Sequence, residues 1–320
     1  MASQKEAMMN SGEPTSTRPK PAQTPPSSYT PQELFSYDLN NSSHCVDLDD
    51  FSIPSDAEVL TAPSFQQLKK ALNKLKDRLS SPTPSSSQFI YLQDTGKELF
   101  SKIRDDQELF PGVRVSISYR RREVLFKIRP DHQNDSIIGV FSQALAVQLS
   151  WMSLSGEKGA FVSRHSPRTK GRSVAKEPDW WLSPVDIFDG MGGGTGFPTL
   201  ALEVGVSDSY TQLRKDAQWW YSNSDHLTKC VVIVSTTCNP AWQVDVEVWS
   251  EGPHPRHETR NRVDSSFRPT QRVTYRDGEI HGGPLVLNFE SIFRRPRNQH
   301  EGDIITGVQS LAAMCQQVRS

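Results

Sequence analysis

Residues 176–235 read KEPDWWLSPVDIFDGMGGGTGFPTLALEVGVSDSYTQLRKDAQWWYSNSDHLTKCVVIVS, and this stretch decides the fold. DWWLSP and TLALEV read as strands, the residues from about Asp208 to Tyr221 as a helix, and the β-branched run KCVVIVST as a strand buried on both faces. Two acids stand out. Glu203 interrupts the apolar run Leu200, Ala201, Leu202, Val204, where an ionised carboxylate needs either a partner such as a metal or the solvated face of an edge strand. Asp179 follows Pro178 at the start of the preceding strand, either as a turn acid or as the second member of a pair. The Gly-rich segment GMGGGTGFP between them reads as the long turn of a hairpin across which the two carboxylates can meet.

Outward from this stretch the pattern stays globular. VRVSISY and EVLFKIR alternate, with Val113, Val115 and Ile117, then Val124, Phe126 and Ile128, on one buried face; they predict a hairpin with Arg120, Arg121 and Arg122 at its turn. A helix is expected around residues 94–105. DSIIGVFSQALAVQLSWM carries Ile138, Phe141, Leu145 and Leu149 at helical spacing and predicts the first core helix, with Asp135 where an acid suits the helix dipole. Beyond the central stretch, WQVDVEVW, RVTYRDG and PLVLNF read as strands and IITGVQSLAAMCQQV as a closing helix. Together these give a mixed α/β class, a central mixed sheet flanked by helices, over residues 88–320.

The central stretch resembles the PD-(D/E)XK, or restriction-endonuclease-like, superfamily, in a branch of uncharacterised bacterial nucleases and related fungal proteins. The resemblance is carried by Pro178-Asp179 opening a strand, by Glu203 in LALEVG followed by Ser207 and Ser209, and by a helix ending in Trp219, Trp220 and Tyr221. It spans about residues 125–250 and implies a restriction-endonuclease-like core at about 130–250. It also implies a nuclease that hydrolyses phosphodiester bonds in DNA or RNA with Mg²⁺ or Mn²⁺. Asp179, Glu203 and the backbone carbonyl of Val204 would be the ligands, since magnesium takes hard oxygens and keeps several waters.

The family's lysine two residues after the glutamate is Gly205 here. The branch places a lysine on the following helix instead, which nominates Lys215, with Arg214 as the other basic candidate; at 100° per residue, however, Lys215 lies far around from the buried Leu213. The alternative is therefore a catalytically silent nuclease-like fold that binds nucleic acid or protein. The family's His-Glu pair corresponds to His132-Gln133-Asn134-Asp135, where Asp135 is either a substitute or a plain helix-start acid. Two basic runs could meet phosphate: Arg120–Arg122, and RHSPRTKGR with Arg164, Arg168, Lys170 and Arg172, the latter directly before the Asp179 strand.

Whole-chain properties bound this reading. A formal net charge of −1 excludes a globally basic nucleic-acid binder, so phosphate contacts must form a local patch. Hydrophobic residues at 35% and a mean hydropathy of −0.57 indicate that much of the chain lies outside a core. Residues 1–60, rich in Pro, Ser, Thr and Asn, are expected to be disordered, and SSPTPSSS (80–87) to be a linker. Between them, residues 64–80 form an amphipathic helix through Phe65, Leu68, Leu72, Leu75 and Leu79, which either packs on its own domain or, with the N-terminal region, recruits a protein partner. Four dispersed cysteines give no zinc framework, and neither a signal-peptide h-region nor a membrane-length apolar run is seen; an intracellular setting, cytoplasmic or nuclear, is expected. GMGGGTGFP lacks the lysine of a P-loop and leads into a strand, GxSxG and HExxH motifs are missing, and His254 with His257 has no second ligand pair. Trp180, Trp181, Trp219, Trp220, Trp242 and Trp249 read as core or sheet-face residues before stacking platforms.

Overall fold

The computed structural model describes residues 52–80, 87–128, 133–154, 160–164, 168–190, 196–206, 210–237, 241–252 and 267–319. Among these, one sheet runs in the order β1 (Glu58–Thr61), β2 (Phe89–Gln93), β4 (Glu123–Ile128), β3 (Val113–Ser118), β7 (Val174–Lys176), β6 (Thr169–Lys170). A second runs β13 (Glu279–His281), β12 (Phe267–Arg276), β11 (Gln243–Glu251), β10 (Cys230–Thr237), β9 (Leu200–Val206), β8 (Trp180–Pro184), β5 (Phe161–Arg164). β14 (Leu285–Leu287) and β15 (Ile304–Thr306) pair separately. The helices are α1 (Phe65–Leu79), α2 (Lys97–Asp105), α3 (Gln133–Trp151), α4 (Val185–Gly190), α5 (Tyr210–Asn223), α6 (Phe289–Phe293) and α7 (Val308–Arg319). The class is mixed α/β, as the sequence predicts. No helix among the described residues is long and apolar enough to cross a membrane.

Strand alternation sorts the core into three layers. Along β9, Leu200, Leu202 and Val204 face α3, α6 and α7, in a cluster with Leu145, Leu149, Phe289 and Leu311. Ala201 faces the other way, toward Leu213, Ala217 and Trp220 of α5. β10 is buried on both sides, with Val232 and Val234 in the first cluster and Val231 and Ile233 in the second, which accounts for its unbroken apolar run. β9 and β10 are parallel and joined by α5, while β8 lies antiparallel to β9. The hairpin and the crossover unit thus share β9.

The first sheet is also covered twice. Val115, Ile117, Val124, Phe126 and Ile128 pack against Leu68, Leu72 and Leu75 of α1 and Phe100 and Ile103 of α2. Its opposite face puts Phe89, Tyr91, Leu125 and Val174 against α5 and the second sheet. α1 is held by a Ser64–Gln67 capping box and turns its leucine face inward, so that face is occupied by the chain's own domain. The boundary expected at residue 60 is corrected: Glu58–Thr61 is β1, paired in parallel with β2, because Leu60 is drawn into the α1 cluster. Residues 1–51 of the expected disordered region, and 81–86 of the expected linker, lie outside the described residues.

Phe126 is fully buried and meets Phe110 edge-on at 5.4 Å between ring centroids, anchoring β4. Phe126→Ala should lower unfolding stability by about 3–5 kcal/mol in urea titrations; a loss under about 1 kcal/mol would mean that β4 is not anchored there.

Candidate functional site

Because both faces of the first sheet are covered, side chains opposite the Val124–Phe126–Ile128 row are not in solvent. Lys127 is one of them. It is 7% exposed and points from β4 into the layer between the sheets, where Arg114 of β3 and Lys176 of β7 also lie buried. From the other side come Asp179, 0% exposed, and Glu203, 4% exposed. Asp179 precedes β8 and donates its backbone N–H to the Leu202 carbonyl at 3.2 Å, which sets it beside Glu203 across the hairpin.

The two carboxylates converge on one cation. Lys127 Nζ donates to Asp179 Oδ2 at 2.8 Å and to Glu203 Oε2 at 3.4 Å. Val204 N–H donates to the same Asp179 Oδ2 at 2.8 Å, Arg114 Nε stands 3.5 Å from Asp179 Oδ1, and Trp220 Nε1–H donates to Glu203 Oε1 at 2.8 Å. Two further pairs close the cluster. Lys176 is bound to Asp216, which also accepts from Gln212 Nε2 at 2.9 Å. Glu177 accepts from the Val115 amide at 3.1 Å and from Arg168 Nε at 2.9 Å, and Arg168 Nη1 reaches the Ile103 and Arg104 carbonyls at the end of α2. Each buried charge is thus matched, as burial requires.

The electrostatics follow from burial. Burial alone would drive the Lys127 ammonium down, but the Asp179 and Glu203 charges and the hydrogen bond to Asp179 outweigh it and hold the group above the ordinary lysine range. Burial raises Glu203 to about 7 against the pull of Lys127, with Asp179 and Asp216 adding to the rise. Burial also raises Glu177, opposed by Arg168 and the Val115 amide.

Arg114, Lys127, Lys176, Glu177, Glu203 and Asp216 line a cavity of about 20 Å³. That is on the order of one water molecule or one bare ion. Among the described residues no group of three or more His, Cys, Asp and Glu could hold a metal ion. Asp179 Oδ2 and Glu203 Oε2 nevertheless fit the donor chemistry of a small hard cation, since both turn to a single positively charged point.

The expected site residues fare unequally. Asp179 and Glu203 are brought together and Val204 touches Asp179 through its amide. Lys215 is not near them: it is exposed and donates to Ser52 Oγ at 2.7 Å, because Leu213 and Ala217 occupy the buried side of α5. Arg214 is bound to Glu247. Arg168, expected on a phosphate-facing loop, is instead buried in its pair with Glu177. Lys170 and Arg172 are exposed, and Arg164 pairs in β5 with Trp181 through its backbone. Asp135 lies in the first turn of α3; His132, Ser207, Ser209, His254, His257 and residues 191–195 of the Gly-rich turn lie outside the described residues. Trp180, Trp181, Trp219, Trp220 and Trp249 are buried, as the core reading expects, and Trp242 is half-buried against the core.

No protein-family model matches the chain, and no curated protein is similar to it. Among solved structures, it is similar to a crystal structure of a "putative nuclease belonging to DUF820" from Anabaena variabilis, at 13% identity and a TM-score of 0.39 over 68% of this chain and 98% of that one.

Glu203 carries a pH signature. Its folded-state pKa is raised from 4.5 to about 7, so it favours the folded state below about pH 4.5, and that contribution is lost as pH rises through about 7. Relative to Glu203→Gln, whose side chain stays neutral, the wild type should lose about 1–3 kcal/mol of stability between pH 4.5 and pH 8 in urea titrations. A difference that stays flat, or grows in favour of the wild type, would contradict the burial of an ionisable Glu203.

Proposed function

We propose that the chain is a metal-dependent phosphodiesterase acting on nucleic acid, with Asp179, Glu203 and Lys127 as its reacting constellation. The observation that carries this reading is the position of Lys127 Nζ against both carboxylates. The lysine missing after Glu203 would then be supplied from β4, and the nomination of Lys215 lapses because that side chain faces solvent.

Asp179, Glu203 and the Val204 carbonyl would hold Mg²⁺ or Mn²⁺, which supplies an acidified water and stabilises charge on a phosphoryl group. The protein's own part is positional. The Val204 amide fixes one Asp179 oxygen toward Lys127, and the Trp220 indole fixes Glu203. Lys127 offers an ammonium that orients a water and holds the proton balance of the two acids, while Arg114 and Lys176 bring two further cations to the cavity wall. A cavity of about 20 Å³ takes a water or an ion but not a phosphodiester, so the site as it stands is closed to substrate.

That same closure favours a second reading, a silent nuclease-like fold that binds without cutting, in which the four buried carboxylates serve only to join the sheets. Cleavage of labelled DNA and RNA with Mg²⁺ or Mn²⁺ separates the two. Under the enzyme reading Lys127→Ala, Asp179→Asn and Glu203→Gln each lower the rate by about 10²-fold or more. Lys215→Ala leaves it within about twofold, and Lys127→Arg serves as the variant that keeps the buried charge. Absence of metal-dependent cleavage supports the silent fold, whereas cleavage indifferent to Lys127→Ala and Glu203→Gln rejects this constellation as its source.

A further inference from the structure

Two basic runs about fifty residues apart in the sequence meet at one end of the first sheet. The β3–β4 turn carries Arg120, Arg121 and Arg122, all exposed, with Arg122 in a left-handed conformation (φ 55°). The β6–β7 turn carries Lys170 and Arg172, also exposed. β3 and β7 are antiparallel neighbours, pairing Ile117 with Ala175 and Ser118 with Val174. Beyond the last pair, the Tyr119 amide donates to the Ser173 carbonyl at 3.0 Å and Lys170 Nζ lies 5.2 Å from the centre of the Tyr119 ring. We propose that these turns form one edge that grips the phosphodiester backbone of a nucleic acid, by charge and without reading bases. The inference rests on the nucleic-acid reading above and deepens it.

The edge is built to stay in place. Gly171 N–H donates to the Val174 carbonyl at 2.8 Å, closing a tight turn. A Cβ at Gly171 would come within 2.9 Å of that carbonyl oxygen and 2.8 Å of Asn223 Oδ1, so this turn is wedged against the end of α5 and only glycine fits. Two ion pairs lie on this edge: Asp225 is 3.3 Å from Arg172, and Glu123 is 3.9 Å from Arg121. The Arg172–Asp225 pair is exposed on both sides and holds weakly, so a phosphate can replace that carboxylate. Arg104, nearby, is already satisfied by both oxygens of Asp105.

Geometry links the edge to the cavity. The same three strands carry Arg114, Lys127 and Lys176 into it, and Arg114 is four residues from Ser118 along β3, roughly 13 Å. For a duplex lying along these strands, with about 3.4 Å of axis per phosphate of one strand, the edge contacts phosphates roughly four nucleotides from the reacting bond. A grip at that distance adds affinity without entering the chemistry.

The test is binding of the full chain to a labelled mixed-sequence oligonucleotide, single-stranded and duplex, in EDTA, so that no cleavage is needed. Affinity is followed between about 50 and 200 mM salt. Arg122→Ala/Lys170→Ala/Arg172→Ala should weaken single-strand binding by about tenfold or more at low salt and make the log–log salt slope shallower by about 2, three contacts at about 0.7 each. The control Lys69→Ala/Lys70→Ala/Lys74→Ala removes the same charge from the exposed face of α1 and should change the slope by less than about 0.5. Equal losses in both triple variants, an unchanged slope in the first, or no binding by the wild type would overturn the proposal. A binding edge with no metal-dependent cleavage rejects the enzyme reading alone; cleavage with an inert edge rejects this inference alone.

Discussion

Charge buried between two sheets must be neutralised locally, and that constraint organises this protein. Asp179, Glu203, Glu177 and Asp216 are buried away from bulk solvent, and each is met by a cationic side chain: Lys127, Arg168 or Lys176, with Arg114 standing by Asp179. An uncompensated carboxylate in such a place costs several kcal/mol, comparable with the whole stability of a domain. The cations come from the first sheet or the loop beside it, the carboxylates Asp179, Glu203 and Asp216 from the second sheet and its helix. Neither sheet can therefore bury its inner face in this way without the other.

The arrangement also explains why the apolar layers stay continuous around a polar centre. Trp220 shows how. Its ring is fully buried among Ala217, Trp219 and Phe197, while its indole N–H is turned to Glu203. Lys176 lies over the Trp219 ring at 5.2 Å, so the same aromatic pair that packs α5 also borders the charges. A substitution at either tryptophan would disturb packing and electrostatics together, whereas one at Lys215, on the far side of α5, touches neither.

Much of the fold was legible because each element has a strong local period. β9 announced itself as a strand through the apolar run Leu200, Ala201, Leu202 and Val204, broken by Glu203, and β10 its central position through Val231 to Val234. The proximity of Asp179 and Glu203 followed from a hairpin with a Gly-rich turn. Lys127 was not legible, and the reason is physical. Alternation along EVLFKIR shows which row is apolar but not whether the opposite row meets water, and a lysine on that row is ordinarily a solvated one. Only the docking of the first sheet on α5 turns Lys127 and Arg114 inward. Arg168 was read as a phosphate-facing loop residue for the same reason, its run of basic neighbours resembling a surface loop, whereas it is buried against Glu177. The one available signal was the side-by-side placement of Lys176 and Glu177 just before Pro178-Asp179. Likewise Glu58–Thr61 has too little periodicity over four residues to be told from the polar sequence before it, and becomes a strand through pairing with β2.

A double-mutant cycle on Lys127 and Asp179 tests the central claim most directly, since it measures whether the two charges act on each other inside the folded protein. Urea unfolding of the wild type, Lys127→Met, Asp179→Asn and the double variant at neutral pH should give a coupling of about 2 kcal/mol or more, with Lys127→Met alone costing about 3–5 kcal/mol. Additive effects within about 0.5 kcal/mol would mean that Lys127 and Asp179 do not meet.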